Sequence, residues 1–341
     1  MADSTSISRD EFRARLEDAA KYAIVPNEGL FGPQSVTWSL LRESVGFLGG
    51  GRAALLQVAH PWVANGVDQH SKTKTDPLGR FHRTFENVLT ILFGSLDQVV
   101  AVSDGLNRLH AMIVGKVPDA TAKYHANSKY FANHVDAMMW VHATLWETFV
   151  TMHELVLGPI EAERKEAFYQ EIKRFALCFG VPFDRQPAKW ADFEAYNREM
   201  WASQELGVGA AGLEVRSYLF RSKKLRRVEL PLKVIEIVTA ETMPPRFREE
   251  FRLPPPSLRN RAIFKSTIAA AKVGFAVAPP RVRYSPVYFE AMDRVAGKPG
   301  SDRETKRAIK LMLGRTRLVS NDAQLISQDA RLAEMQAARR S

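Results

Sequence analysis

A chain of 341 residues, 45% apolar and 25% charged, has the composition of a globular protein and is long enough to bury a substantial core. Its net charge of +10 raises nucleic acid or anionic membrane as partners, above all at residues 221–227 (RSKKLRR). No zinc finger, RNP-type aromatic motif or basic zipper accompanies the charge, which speaks against nucleic acid, and a single cysteine, Cys178, excludes an internal disulfide, a CxxC zinc pair and a CxxCH attachment motif.

Residues 1–21 carry charges throughout and no apolar run followed by a small-residue cleavage site, so a cytoplasmic location is expected. Apolar residues recur at three- and four-residue spacing over 12–20, 35–47, 52–67, 80–93, 96–114, 133–157 and 160–179, which predicts a helix for each. Ser35 is placed to cap the second of these, and glycines 49–51 separate it from the third. No strand and no GK[ST] motif accompanies that glycine run, so it reads as close packing or a tight turn rather than a phosphate loop. Pro61 lacks an amide and should bend or restart its helix just after His60. The longest apolar stretch, 135–157, is interrupted by Asp136, His142, Glu147, His153 and Glu154, which predicts a buried helix rather than a membrane span. Beyond Met200, prolines at 244–245, 254–256 and 279–280 separate helices over 234–242 and 259–276 that should wrap the same core, and 325–341 reads as a polar helix that frays. The expected fold is all-α: a single helical domain over 25–295, an N-terminal helical extension over 1–24 and a polar helical tail over 296–341.

All eight histidines lie between positions 60 and 153, which directs the search for chemistry to the N-terminal half. Neither an HExxH zinc motif nor an ExxH di-iron pair is present. On the helix over 96–114, Val99, Ser103, Leu106, His110 and Val114 form one stripe, so His110 projects from an apolar face. Such an imidazole is suited to bind iron axially, and equally to serve as a core histidine bonded to a carbonyl; the residues by themselves favour the latter. One helix earlier, Phe81, Phe85, Val88 and Leu92 form an apolar ridge bordered by Arg80, Arg83 and Thr84. Two guanidiniums and a hydroxyl beside such a ridge suit a haem pocket, where they would meet propionates or iron-bound oxygen; a surface patch of ordinary salt bridges fits them as well. Val135, Met138, His142, Trp146, Phe149 and His153 share a stripe that is core-like in composition, with His142 set in an aromatic wall. His60, turned inward by Pro61, is a further candidate.

In this order, GPQSVTWSLL (32–41), GRAALLQVAHPWVANGVDQHS (51–71), RFHRTF (80–85), LNRLHAMIVG (106–115) and WVHATL (140–145) resemble the catalytic domain shared by the rubber oxygenases (latex clearing protein) and the MpaB oxygenases. The resemblance covers about residues 25–295, with weaker matches at YNREM (196–200) and VYFEAMDR (287–294). It implies an all-α fold with a globin-like core holding haem b without covalent attachment, His110 as proximal iron ligand, Arg80, Arg83 and Thr84 on the distal side, and His142 in the pocket. Rubber-cleaving members carry a lysine able to close onto iron where this chain has Arg83. A guanidinium stays protonated and offers no lone pair, so the implied site is not lysine-ligated.

The function expected is a haem-dependent oxidoreductase of the oxygenase type, joining dioxygen to a small hydrophobic, isoprenoid or lipid-like substrate. Arg83 and Thr84 would serve as preorganised donors, with Asp68 or His70 as the candidate base. No electron donor is identifiable. Two other readings remain open: a haem carrier or sensor without turnover, and a haem-free helical protein bound to a lipid surface. Peripheral membrane contact is compatible with all three.

Overall fold

The computed structural model describes residues 6–71, 77–221 and 229–318; the basic run at 222–227 and the helix expected over 325–341 lie outside them. Among the described residues the fold is all-α, with sixteen helices and one two-stranded sheet. Helix α1 (Arg9–Ala20) starts with a reciprocal cap, the Glu11 amide donating to the Ser8 hydroxyl and the Ser8 amide to the Glu11 carboxylate at 2.8 Å. Ser35 caps α2 (Val36–Leu41) by accepting the Trp38 amide at 2.9 Å. The one helix expected over 35–47 is two pieces, α2 and a 3-10 helix at Ser44–Gly49. Its break has a physical cause: Arg283 donates to both carboxylate oxygens of Glu43 (2.6 and 2.8 Å), and the Ser285 amide takes the Arg42 carbonyl at 2.7 Å.

Helix α3 (Gly50–Val58) stops before Pro61, which opens α4 (Pro61–His70), so the helix expected over 52–67 is likewise divided at the proline. The glycines at the start of α3 are packing residues, because a Cβ on Gly49 would fall 2.4 Å from Thr148 Cγ2 and one on Gly51 2.5 Å from Thr239 Oγ1. Helices α5 (Pro77–Phe93) and α6 (Leu96–Met112) form a hairpin, and Ser95 and Gln98 make the reciprocal cap of α6. A β-hairpin follows, β1 (Val114–Lys116) antiparallel to β2 (Lys129–Phe131) with Gly115 opposite Tyr130. The buried Tyr130 hydroxyl donates to Gln69 at 2.9 Å, which fastens the hairpin to α4.

The central element is α7 (Val135–Leu157), against which the 3-10 helix, α3, α8 (Ala162–Leu177), α9 (Trp190–Ala202) and α13 (Leu258–Val277) pack. Helices α10 (Ala210–Arg221), α11 (Glu229–Thr242), α12 (Pro245–Glu250) and α13 (Leu258–Val277) close the far side, with α10 on α4 and α11 on both α3 and α13. The short α14 (Pro280–Arg283) leads to α15 (Pro286–Val295) and α16 (Arg303–Leu313), and both of these pack on α5. Ile309 and Leu313 of α16 are buried, as are Phe12, Leu16 and Ala19 of α1, so both ends of the described chain contribute to the main core. No helix among the described residues is long and apolar enough to cross a membrane.

One buried ion pair sets the register of the centre. Arg52, 3% exposed, forms a salt bridge with Glu147 of α7 and donates to Thr148 Oγ1 at 2.7 Å and to the Thr242 carbonyl at 2.9 Å. Removing one partner strands a charge in the interior, which costs about 3–5 kcal/mol, whereas replacing both by apolar groups costs far less. Arg52→Ala should therefore lower the unfolding free energy in urea by about that amount, and Arg52→Met with Glu147→Leu should recover most of it.

Candidate functional site

A cavity of about 250 Å³ opens between α4, α5, α6, α7, α8 and the β-hairpin, and its empty space including the open mouth reaches about 1410 Å³. The 250 Å³ lies just below the roughly 300–1,000 Å³ range of ligand pockets. Trp62, Val67, Leu106, Met138, Leu145 and Phe175 are among its apolar walls. Set into them are Arg80, Arg83 and Thr84 from α5, His110 from α6 and His142 from α7. Three predicted stripes from three different helices therefore meet on one space.

The α5 face follows from its sequence. Arg80, Arg83, Thr84 and Asn87 recur at i, i+3, i+4 and i+7, and all four line the cavity; Asn87 continues a pattern that the sequence reading stopped at Thr84. Phe81 and Phe85 stack beside them with ring centroids 4.3 Å apart, and Phe85 meets Phe47 at 5.1 Å, which holds that face at the rim. Arg80 donates to Ser71, itself a lining residue. Burial pushes the Glu86 carboxyl up, with Arg315 and Arg83 opposing that shift.

His110 lies half-buried in the last turn of α6, which ends at Met112 rather than at Val114 because the chain turns there into β1. The Ala132 amide donates to the Ile113 carbonyl at 3.0 Å, so the hairpin fixes the end of α6 and brings Phe131 and Ala132 to the cavity.

His142 is 2% exposed. Its Nδ1 accepts the indole N–H of Trp146 at 3.0 Å, one turn along the same helix, and its Nε2 has no protein partner. Burial holds the ring's pKa down at about 3, so the imidazole is neutral. With Nδ1 occupied as an acceptor, the one proton of a neutral ring sits on Nε2. His142 is therefore a fixed donor in the cavity wall. Trp62, another lining residue, likewise has a buried indole N–H without a partner.

Two predicted residues lie elsewhere. His60 is not among the cavity's lining residues; it caps α4, with Nδ1 accepting the Trp62 amide at 3.2 Å and Nε2 3.3 Å from the Tyr124 hydroxyl, which donates to Glu205 at 3.0 Å. Both ring nitrogens are engaged, so no lone pair is left for a metal. Asp68 lines a second cavity with Asn65, Asp119 and Glu214, while His70, two residues on, lines the first. Two residues along a helix turn the side chain by about 200°, which puts the pair on opposite faces. Residues not foreseen include Phe175 and Phe179, which reach the cavity from the α8 side and whose signal was the apolar stripe Phe168, Ile172, Phe175, Phe179. Among the described residues no three His, Cys, Asp or Glu side chains are grouped to hold a bare metal ion.

The fold and cavity together define a helical protein with a lipophilic chamber that carries a histidine on one wall and paired guanidiniums on another. The chain belongs to the family described as ER-bound oxygenase mpaB/B'/rubber oxygenase, catalytic domain, whose profile matches residues 38–273 and so spans every residue of the chamber. Two uncharacterized proteins, from Mycobacterium bovis and Mycobacterium tuberculosis, are each 27% identical over 146 residues, 42% of this chain and 54% of theirs. The match thus spans about half the length of these relatives. No solved structure matches the chain. Family membership supports an oxygenase role in general terms.

The protonation state of His142 has a measurable consequence. Its folded pKa of about 3 lies below the unfolded value near 6.5, so the unfolded chain binds the extra proton between those limits and stability falls as pH drops through that window. His142→Gln keeps an acceptor for Trp146 but cannot titrate. The slope of unfolding free energy against pH, measured by urea titrations between pH 6 and 4, should shrink by about 1.4 kcal/mol per pH unit in that variant.

Proposed function

We propose that the chain is a haem b-dependent oxygenase, with a globin-like arrangement around the cofactor, acting on a small hydrophobic substrate of isoprenoid or lipid-like character. The observation that carries this reading is the convergence of Arg80, Arg83, Thr84, His110 and His142 on one apolar chamber. The residues present fit the group: His110 would hold its iron, the two guanidiniums would meet its propionates, the apolar walls would cover the macrocycle, and His142 carries a buried donor that no protein atom satisfies. When bound, haem b would supply the iron centre at which dioxygen is activated.

The chain's own residues then have distinct tasks. His110 would hold the iron, and Arg80 would anchor an anionic group from its position beside Ser71. Arg83 is permanently protonated, so it donates hydrogen bonds and does not occupy a coordination position. Thr84 adds a hydroxyl from the same helix face. His142 holds its proton at Nε2 and presents it to an acceptor on the bound molecules, a preorganised donor of the kind that stabilises developing negative charge. The aromatic and aliphatic walls select a lipophilic substrate and exclude water. His70, on the chamber side of α4, takes the place of Asp68 as the base candidate.

Protein produced with ample haem supply should contain about one noncovalent haem b per chain by pyridine haemochrome assay. His110→Ala should lose the pigment or its activity with isoprenoid substrates in oxygen-uptake measurements. Arg83→Lys should shift the resting spectrum toward a low-spin form with two protein ligands, a form the natural chain should lack. Retention of both haem and activity in His110→Ala would sink the assignment of His110, and a protein that takes up no haem on reconstitution would sink the whole reading.

A further inference from the structure

Helix α13 has two apolar faces, and the fold uses only one. Its inner stripe of Phe264, Ile268, Ala271 and Phe275 packs with Val45, Leu48, Leu155 and Val156. On the opposite side Leu258, Ala262, Ala269, Val273 and Ala276 are all exposed, within an arc of about 60° at helical spacing. Leu258 is 91% exposed, Val273 64% and the neighbouring Val277 76%, and Val282 just beyond the helix is 70% exposed. Scattered surface aliphatics are ordinary. Aligned along a twenty-residue helix, they form a stripe.

The charges beside that stripe have one sign. Arg261, Lys265 and Lys272 run along one border and Arg259 stands on the other, all exposed. From Phe251 to Phe289 the sequence contains no aspartate or glutamate. Within the same stretch Arg281 pairs with Asp302 and Arg283 with Glu43, whereas Arg259, Arg261, Lys265 and Lys272 pair with no described carboxylate. An exposed apolar stripe with cationic borders and no anion has the composition of a helix that lies in a lipid interface, its aliphatics among the acyl chains and its cations at the headgroups.

We propose that the outer face of α13 is an interfacial docking surface for an anionic lipid bilayer. The helix lies in the plane of the membrane, with Leu258, Val273 and Val277 entering the acyl boundary and Arg259, Arg261, Lys265 and Lys272 contacting lipid phosphates. This surface is separate from the chamber residues and does not depend on the haem reading.

The test must separate insertion from the general attraction of a basic protein to anionic vesicles. Wild-type protein and the triple variant Leu258→Ser, Val273→Ser, Val277→Ser, which leaves net charge unchanged, are to be sedimented with phosphatidylcholine vesicles containing phosphatidylglycerol and with phosphatidylcholine alone. Binding of the wild type should require phosphatidylglycerol and weaken with salt, and the triple variant should bind roughly tenfold more weakly while keeping the wild-type thermal unfolding midpoint. Val273→Cys can be labelled selectively with an environment-sensitive fluorophore, because Cys178 is fully buried. A blue shift of that probe on the vesicles is expected. Equal binding by the triple variant, or an unshifted probe on bound protein, would overturn the proposal. So would a concentration-dependent dimer that the serine substitutions abolish, since that result assigns the face to a second copy of the chain.

Discussion

The arrangement of this protein depends on Arg52 reaching Glu147. A guanidinium and a carboxylate buried together are tolerable only when nearly every hydrogen-bonding position is filled, and here Arg52 spends its donors on Glu147, Thr148 and the Thr242 carbonyl, so that α3, α7 and α11 are held at one mutual height. The reach is short because Gly49 and Gly51 let the start of α3 approach Thr148 and Thr239 more closely than any side chain would permit. Glycine contact and ion pair therefore act as one device. Through it the rotation of α7 is set, and with that rotation the direction in which His142 faces.

The chamber is assembled from elements whose ends are fixed locally. Ser95 and Gln98 define where α6 begins, and the hairpin defines where it stops, which places His110 in its last turn. Tyr130 and Gln69 tie the hairpin to α4, and α4 in turn supplies Trp62, Val67 and His70 to the same space. The C-terminal helices contribute from outside: α15 and α16 pack on α5 and hold the helix that carries the arginines.

Much of this was legible in the sequence, and what was missed has physical reasons. Helices with strong caps or long apolar stripes, such as those beginning after Ser95 and His134, emerged close to their predicted limits. The helix read over 35–47 divided because Glu43 is gripped by Arg283, 240 positions away, which no local pattern contains. Strands of three residues are too short for alternation to register, so the hairpin went unseen. At the site, side chains on one helix face were found by spacing, as with Arg80, Arg83 and Thr84. Neighbours in sequence were not neighbours in space: Asp68 and His70 open onto different cavities, and His60 faces Tyr124.

The contact between His142 and Trp146 lies within a single turn of one helix. A tautomer chosen by such an intrahelical bond is indifferent to breathing of the surrounding bundle, because opening the chamber to admit a bulky molecule leaves donor and acceptor on the same rigid rod. The polarity of that wall is thus decided when α7 forms. No distant element has to close before the proton stands on Nε2.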